Sequence, residues 1–308
     1  MSGVLESFDP VTRQGVSISN LFWLELVISG LLLAMVIGVL AFALVHYRAR
    51  PGEAGDPPQV HGHRTLEIIW TAAPAATLAI IFILVVMTMR TVDAVEPGAR
   101  SIVITGHQWW WQYTYPDLQL VTANELHVPV GSPLQISLQS ADVIHSFHAP
   151  QFGWMQDLVP GKTNQMSVFV ERAGIYDGTC NQYCGLQHAW MRLRIVAESP
   201  DQFAAWVQQQ QQPVALSGVR GEQVFVQSTC VSCHAIRGVS NTGSVGPDLT
   251  HVGGRATLGA GVMDNTPDNL RTWIRNAQSV KPGVLMPPFN SLSDADVNAL
   301  VDYLESLR

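Results

Sequence analysis

The chain has 308 residues, of which 47% are hydrophobic and 13% charged, with a formal net charge of -7 at pH 7. That length suits two small globular domains plus a membrane anchor better than one compact core. The net negative charge, without clusters of Lys and Arg, excludes nucleic acid as a partner, because a phosphate backbone recruits such clusters; a basic soluble protein is the more natural one.

Residues 1–20 are expected to form an external N-terminal tail. Leu21 to Val45 is an apolar run interrupted by Glu25 alone, and Ile68 to Met89 contains no charged residue. Each is long enough to cross a bilayer core of about 30 Å at about 1.5 Å per residue, so a transmembrane hairpin is predicted with helices over about 21–45 and 67–90 and a loop over 46–66. The first run is too long for a signal-peptide core and follows Glu6 and Asp9 instead of a basic segment, which predicts a retained helix. Arg48, Arg50 and Arg64 stand against Glu53 and Asp56 in the loop. The positive-inside tendency places that loop in the cytoplasm and both chain ends outside. Pro74 is expected in the first turns of the second helix, where a missing N–H costs least. Glu25 and the small residues Ser29, Gly30 and Gly38 suit a contact with a partner helix.

From about Ser101 the pattern changes. Leu134, Ile136 and Leu138 alternate with Gln135, Ser137 and Gln139, a period of two that means half-buried strands. Glycines at short intervals from Gly131 to Gly178 favour an all-β sandwich or barrel, assigned to 91–207. Asp201 to Val207 reads as a short helix, and the glutamine run with Pro213 as a low-complexity linker over 208–215. Residues 216–308 read as a small α domain. Thr266-Pro267 opens one of its helices, and Ser293 with Asp296 caps another whose Val297, Leu300, Val301 and Leu304 form one stripe.

The four cysteines fall into two local pairs, Cys180 with Cys184 and Cys230 with Cys233, and both spacings are cofactor spacings. In CNQYCGLQHAWM two thiolates, the His188 imidazole and the Met191 thioether stand close along the chain, a set that copper prefers. A single blue copper needs one cysteine, so the second is the informative excess: two bridging thiolates hold two copper ions close enough to share an unpaired electron. A second imidazole is then required. His145 in DVIHSFHAP is the best candidate and His148 its rival, while His107 and His127 are assigned structural or exposed roles. A zinc site or a Cys180–Cys184 disulfide is the alternative.

GHQWWWQYTYP, DVIHSF, PGKTNQ, GIYDGTCNQYCG and HAWM resemble the copper-A domain of cytochrome c oxidase subunit II, and the likeness covers about Leu21 to Ala197. The resemblance implies a cupredoxin-like Greek-key β domain in which Cys180 and Cys184 bridge two coppers. It also implies that His145 and His188 bind one each, that Met191 binds axially and that the Gln182 backbone carbonyl completes the set. The family usually has Glu at that last position, and its carboxylate also faces a magnesium site shared with subunit I; Gln182 keeps the carbonyl and lacks the carboxylate. Trp109 matches the tryptophan through which electrons enter, and Trp110 and Trp111 read equally well as core aromatics. The same resemblance puts Glu67, in TLEIIWTAAP, at the mouth of a proton channel of subunit I.

Cys230-Val231-Ser232-Cys233-His234 is a c-type haem attachment sequence, two thiols adding to the haem vinyls and the histidine binding iron. GPDLTHVGGR and LMPPFNSLSDADVNALVDYL resemble class I cytochrome c, which points to Met286 as the sixth ligand, with Met263 a weaker candidate and His251 a surface residue. Such haem attachment takes place outside the bacterial cytoplasmic membrane, in agreement with the arginine pattern. The fused domain implies a caa-type oxidase, whose tethered cytochrome serves copper-A at high effective concentration. The expected partners are subunit I, subunit III, lipid, and an external cytochrome c or quinol-oxidising complex as donor. Neither apolar helix carries the histidines needed to hold haem and a third copper, so the catalytic centre for oxygen reduction and proton translocation belongs to another subunit. The copper-A subunit of a nitric oxide reductase, or a tethered electron-transfer module without a catalytic partner, would share many of these features; the fused haem and the Glu67 motif favour the oxidase.

Overall fold

The computed structural model describes residues 7–48, 52, 55, 59, 61–153 and 155–308. Glu6, Arg50, Glu53 and Asp56, used above to orient the anchor, lie outside the described residues. The chain divides into two compact units, residues 16–94 and residues 1–15 with 95–308.

The smaller unit is made of two long helices, Arg13–His46, whose first turn belongs to the other unit, and Arg64–Val92. Both are long and apolar enough to cross a membrane, and side chains such as Leu31, Leu33, Leu78 and Phe82 are exposed along them. Such a surface is stable only in lipid or against other apolar helices, and it supports a two-pass membrane topology. The helices extend beyond the apolar runs because their caps lie further out. Thr12 Oγ1 accepts from Gly15 N at 2.9 Å, and His63 Nδ1 accepts from Leu66 N at 3.3 Å. Since the second helix starts at Arg64, Pro74 lies in its interior and not in its first turns, where it leaves the Trp70 carbonyl without its usual i+4 donor.

In the larger unit, residues 10–15 pack into the β domain: Thr12 bridges Val170, and Val11 N donates to Gln151 O at 2.8 Å. The β domain consists of two five-stranded sheets. The first contains β1 (Arg100–His107), β2 (Trp110–Tyr115), β3 (Leu120–Ala123), β5 (Pro133–Ser140) and β8 (Asn164–Phe169), in the order β3-β2-β1-β5-β8. The second contains β4 (Glu125–Pro129), β6 (His145–His148), β7 (Met155–Leu158), β9 (Gly174–Cys180) and β10 (Arg192–Glu198), in the order β4-β10-β9-β6-β7. The pairs β1 with β5 and β10 with β4 are parallel and the other pairs antiparallel, the crossed connectivity of a cupredoxin-like half-barrel. Alternation fills the space between the sheets: Ile102 and Ile104, Trp111, Tyr113 and Tyr115, and Leu134, Ile136 and Leu138 all point inward.

A helix over Pro200–Gln210 closes the domain, its Ser199–Gln202 capping box complete and Phe203 and Val207 buried. It runs past Val207 into the glutamine run. The linker that follows is held down: Arg237 donates to the carbonyls of Gln210 and Gln212, and Val214 N donates to Arg237 O at 2.8 Å.

The C-terminal part is all-α, with helices Arg220–Gln227, Cys230–Cys233, Pro267–Val280, broken at Asn276, and Asp294–Ser306. Thr266 Oγ1 accepts from Asn269 N and Ser293 Oγ from Asp296 N, each capping its helix. Val297, Leu300, Val301 and Leu304 are buried against Phe225 and Ile274, as their spacing predicts.

Candidate functional site

Strand pairing brings the sulfur and imidazole groups to one end of the second sheet. β6 begins at His145 and β9 ends at Cys180, with Phe147 opposite Cys180. The chain then loops through a 3-10 turn, His188–Trp190, and returns along β10, while Cys180 N donates to Met191 O at 2.9 Å and closes the loop. Cys180 Sγ consequently lies 3.7 Å from Cys184 Sγ, 3.9 Å from His145 Nδ1 and 3.2 Å from the Gln182 carbonyl oxygen. Cys184 Sγ lies 3.6 Å from His188 Nδ1 and 3.8 Å from Met191 Sδ. One imidazole thus stands beside each sulfur. Among the described residues, His145, Cys180 and Cys184 form the cluster of metal-ligating side chains, and all three are buried.

Both cysteines are free, and their separation is far beyond an S–S bond of about 2.05 Å. Two thiolates, two imidazoles and a thioether suit copper, whereas zinc takes its ligands from Cys, His, Asp and Glu and has no use for Met191. The residues present therefore fit a pair of copper ions. The contact between the two thiols drives the Cys180 pKa well below its usual range against the opposing effect of burial, and drives that of Cys184 up. Copper ions bound there would displace the thiol protons.

Asp142 went unnoticed in the sequence. Its Oδ1 lies 2.8 Å from His145 Nε2, so Nε2–H donates to it and Nδ1 keeps its lone pair directed at the sulfur cluster. Burial opposes charging of His145, but the hydrogen bonds with Cys180 and Asp142 outweigh it and raise its pKa. Asp142 is itself held by Gln108 N and Val143 N, both at 2.6 Å. The only sequence signal was a carboxylate three residues before a histidine.

His148 lies three residues along β6 from His145, an odd separation that sends the two side chains to opposite faces. His127 is stacked on Trp206 with its Nδ1 3.0 Å from Glu198 Oε2, and His107 is stacked on Trp110. Trp111 is fully buried in the core.

The second site is an apolar-lined cavity of about 470 Å³ in the α domain, whose wall includes Cys230, Cys233, His234, Leu270, Trp273 and Met286. His234 Nδ1 is 2.7 Å from the Pro247 carbonyl, which fixes the ring and leaves Nε2 for iron. Gly246 packs flat against that ring: a Cβ there would come within 2.5 Å of His234 Cε1. Burial lowers the pKa of His234 and so favours the neutral imidazole that a metal ligand must be. Two thiols, one oriented imidazole and a thioether around an apolar cavity fit a covalent haem. Met263 packs against the domain core outside the cavity wall. His251 is buried and not at the surface; its Nε2 lies 3.1 Å from the Gln210 carbonyl, so it secures the linker.

Trp109 belongs to both sites. Its Nε1–H donates to the Cys184 carbonyl at 2.9 Å, and its side chain forms part of the cavity wall.

Comparison with known proteins shows the family of each part of the chain. Residues 11–90 match the transmembrane domain of cytochrome c oxidase subunit II, residues 118–199 its periplasmic domain, and residues 218–308 cytochrome c. Cytochrome c oxidase subunit 2 of Alkalihalophilus pseudofirmus is 33% identical over 99% of this chain and 91% of its own length. The chain belongs to the cytochrome c oxidase subunit II family. The same subunit from Bacillus sp. strain PS3 is 33% identical, covering 85% of this chain and 80% of its own length, and that of Bacillus subtilis is 30% identical over 87% and 82%. Cytochrome c oxidase subunit II is a non-catalytic subunit that receives electrons for a haem-copper oxidase in a membrane, and here it carries a fused cytochrome c domain, consistent with a caa3-type enzyme.

Proposed function

We propose that this chain passes electrons from an external donor, a cytochrome c or a quinol-oxidising complex, to a haem-copper subunit I that reduces oxygen to water and translocates protons. Cys230 and Cys233 would anchor a haem c with His234 and Met286 as axial ligands. Cys180, Cys184, His145, His188, Met191 and the Gln182 carbonyl would hold a binuclear copper-A centre. When bound, these groups supply one-electron redox couples. The protein's part is to fix the ligands and to join the two sites, and Trp109 is the observation that carries the reading: one side chain reaches the cavity wall and the backbone of Cys184. Trp109→Phe keeps an aromatic ring but removes the N–H, so copper reduction slows severalfold at unchanged copper content; unchanged reduction kinetics would refute the role.

The membrane orientation belongs to the same proposal: a bacterial cytoplasmic membrane, with both termini and both redox sites on its outer side. Glu67, in the first turn of the second membrane helix, then faces the cytoplasmic side, where it would serve the mouth of a proton channel in subunit I. Glu67→Ala is expected to lower turnover and pumping together, and normal values for both would reject the assignment. Purification of the native complex tests the function as a whole. Co-purification with a large polytopic haem protein that consumes oxygen supports it, whereas nitric oxide consumption, or isolation of the chain alone, contradicts it.

A further inference from the structure

Lys281 is 1% exposed, and among the described residues its amine has no carboxylate partner. Its Nζ donates to three backbone carbonyls: Trp109 O at 2.8 Å, Trp190 O at 2.9 Å and Gly259 O at 2.7 Å. These acceptors come from three separate stretches of chain. Trp109 connects the two redox sites, Trp190 stands in the loop between His188 and Met191, and Gly259 lies in the α domain together with Lys281. A buried ammonium is tolerated only where its donors are satisfied, and here they are satisfied only when the α domain sits on the β domain.

The surroundings are built for the same contact. Gln187 Nε2 donates to Pro282 O at 2.7 Å, and Arg192 N to Ala260 O at 3.1 Å. Gly283, at φ +91, comes so close that a Cβ would lie 3.0 Å from Leu186 and 3.5 Å from the Trp109 ring. Glu125 of β4 makes the reciprocal contact: its buried carboxylate accepts from Ala256 N and Thr257 N, each at 2.9 Å, and from Thr257 Oγ1 at 3.2 Å. The Lys281 amine of the α domain is held by two backbone acceptors of the β domain and one of its own, and the Glu125 carboxylate of the β domain by donors of the α domain.

We propose that Lys281 and Glu125 are positioning residues that lock the haem domain in one docked pose over Trp109, so that the fused cytochrome occupies the face through which electrons reach the copper loop. This rests on the electron path proposed above. An external donor must then deliver its electron to the haem domain, and transfer between the two sites needs no diffusional encounter. In the intact complex that transfer is independent of solvent viscosity.

Two variants of the intact complex, Lys281→Met and Glu125→Gln, test the lock by two readouts. Hydrogen exchange measured by mass spectrometry should show lost protection confined to the segments around Ala256–Ala260 and Trp109 in both variants, with the haem spectrum and copper content unchanged. Stopped-flow reduction, with haem and copper followed separately, should show internal transfer slowed by roughly tenfold or more in Lys281→Met, since hydrogen bonds to a buried charge are lost, and the rate should become viscosity-dependent. A purely structural defect would instead alter the spectra and spread exchange through the domain core, and that result overturns the proposal. Native protection at the interface in both variants, or a transfer rate that stays fast and viscosity-independent, overturns it equally. If the wild-type complex shows no internal transfer, the electron path itself fails, and the exchange measurement still decides whether Lys281 and Glu125 hold the domains together.

Discussion

On the proposed copper-A assignment, Cys184→Ala is expected to abolish electron delivery to subunit I and to reduce the copper that the β domain binds from two ions to at most one. The geometry explains why the loss is total. Cys184 Sγ is the atom common to Cys180, His188 and Met191, at 3.7, 3.6 and 3.8 Å. Without it His188 and Met191 have no thiolate to share, and Cys180 is left with His145 and the Gln182 carbonyl. The fold should persist, because replacing a thiol by a methyl group deletes little volume from a core dominated by Trp111, Tyr113, Tyr115 and Phe147. Elemental analysis gives the copper count, and oxygen uptake by the purified complex gives the delivery. Two coppers per chain in the variant, with normal uptake, would contradict the assignment of Cys184.

On the proposed haem ligation, Met286→Ala is expected to leave the haem covalently attached but to lower its reduction potential. Cys230, Cys233 and His234 are untouched, and the His234 ring remains fixed by Pro247 and Gly246, so attachment and the proximal side survive. What goes is the thioether on the cavity wall, and Met/His ligation is what raises the potential of such haems. The fall should be on the order of a hundred millivolts, within the range of roughly 0.8 V that axial ligands command. Spectroelectrochemical titration of the complex measures it. A potential unchanged from the wild type would mean that another residue is the ligand, with Met263 the first to examine.

The features read correctly from sequence are those whose physics is local. The alternation of Leu134, Ile136 and Leu138, the stripe Val297, Leu300, Val301 and Leu304, and the caps Thr266 and Ser293 are each decided within a few residues, and the structure shows all of them. The pairing of Cys180 with Cys184 is equally local, and the structure brings their sulfurs to 3.7 Å. Residues whose partners lie far along the chain were not legible. Asp142 stands only three residues from His145, but the contact that fixes it to the turn between β1 and β2 is with Gln108 N across 34 residues, and Lys281 reaches Trp109 across 172. Both use backbone groups as partners, which leave no mark in the sequence of the partner. The outward extension of the membrane helices follows from Thr12 and His63 as caps, signals that the strongly apolar runs outweighed. His251 looked like a surface histidine because the glutamine run that covers it was read as a free linker, when Gln210 in fact still belongs to a helix.

Electron paramagnetic resonance of the oxidised, copper-loaded protein tests the central claim most directly. Two thiolates between two imidazoles predict one unpaired electron shared by two copper nuclei, and therefore a hyperfine pattern from both. Splitting from a single copper nucleus would contradict the bridged site.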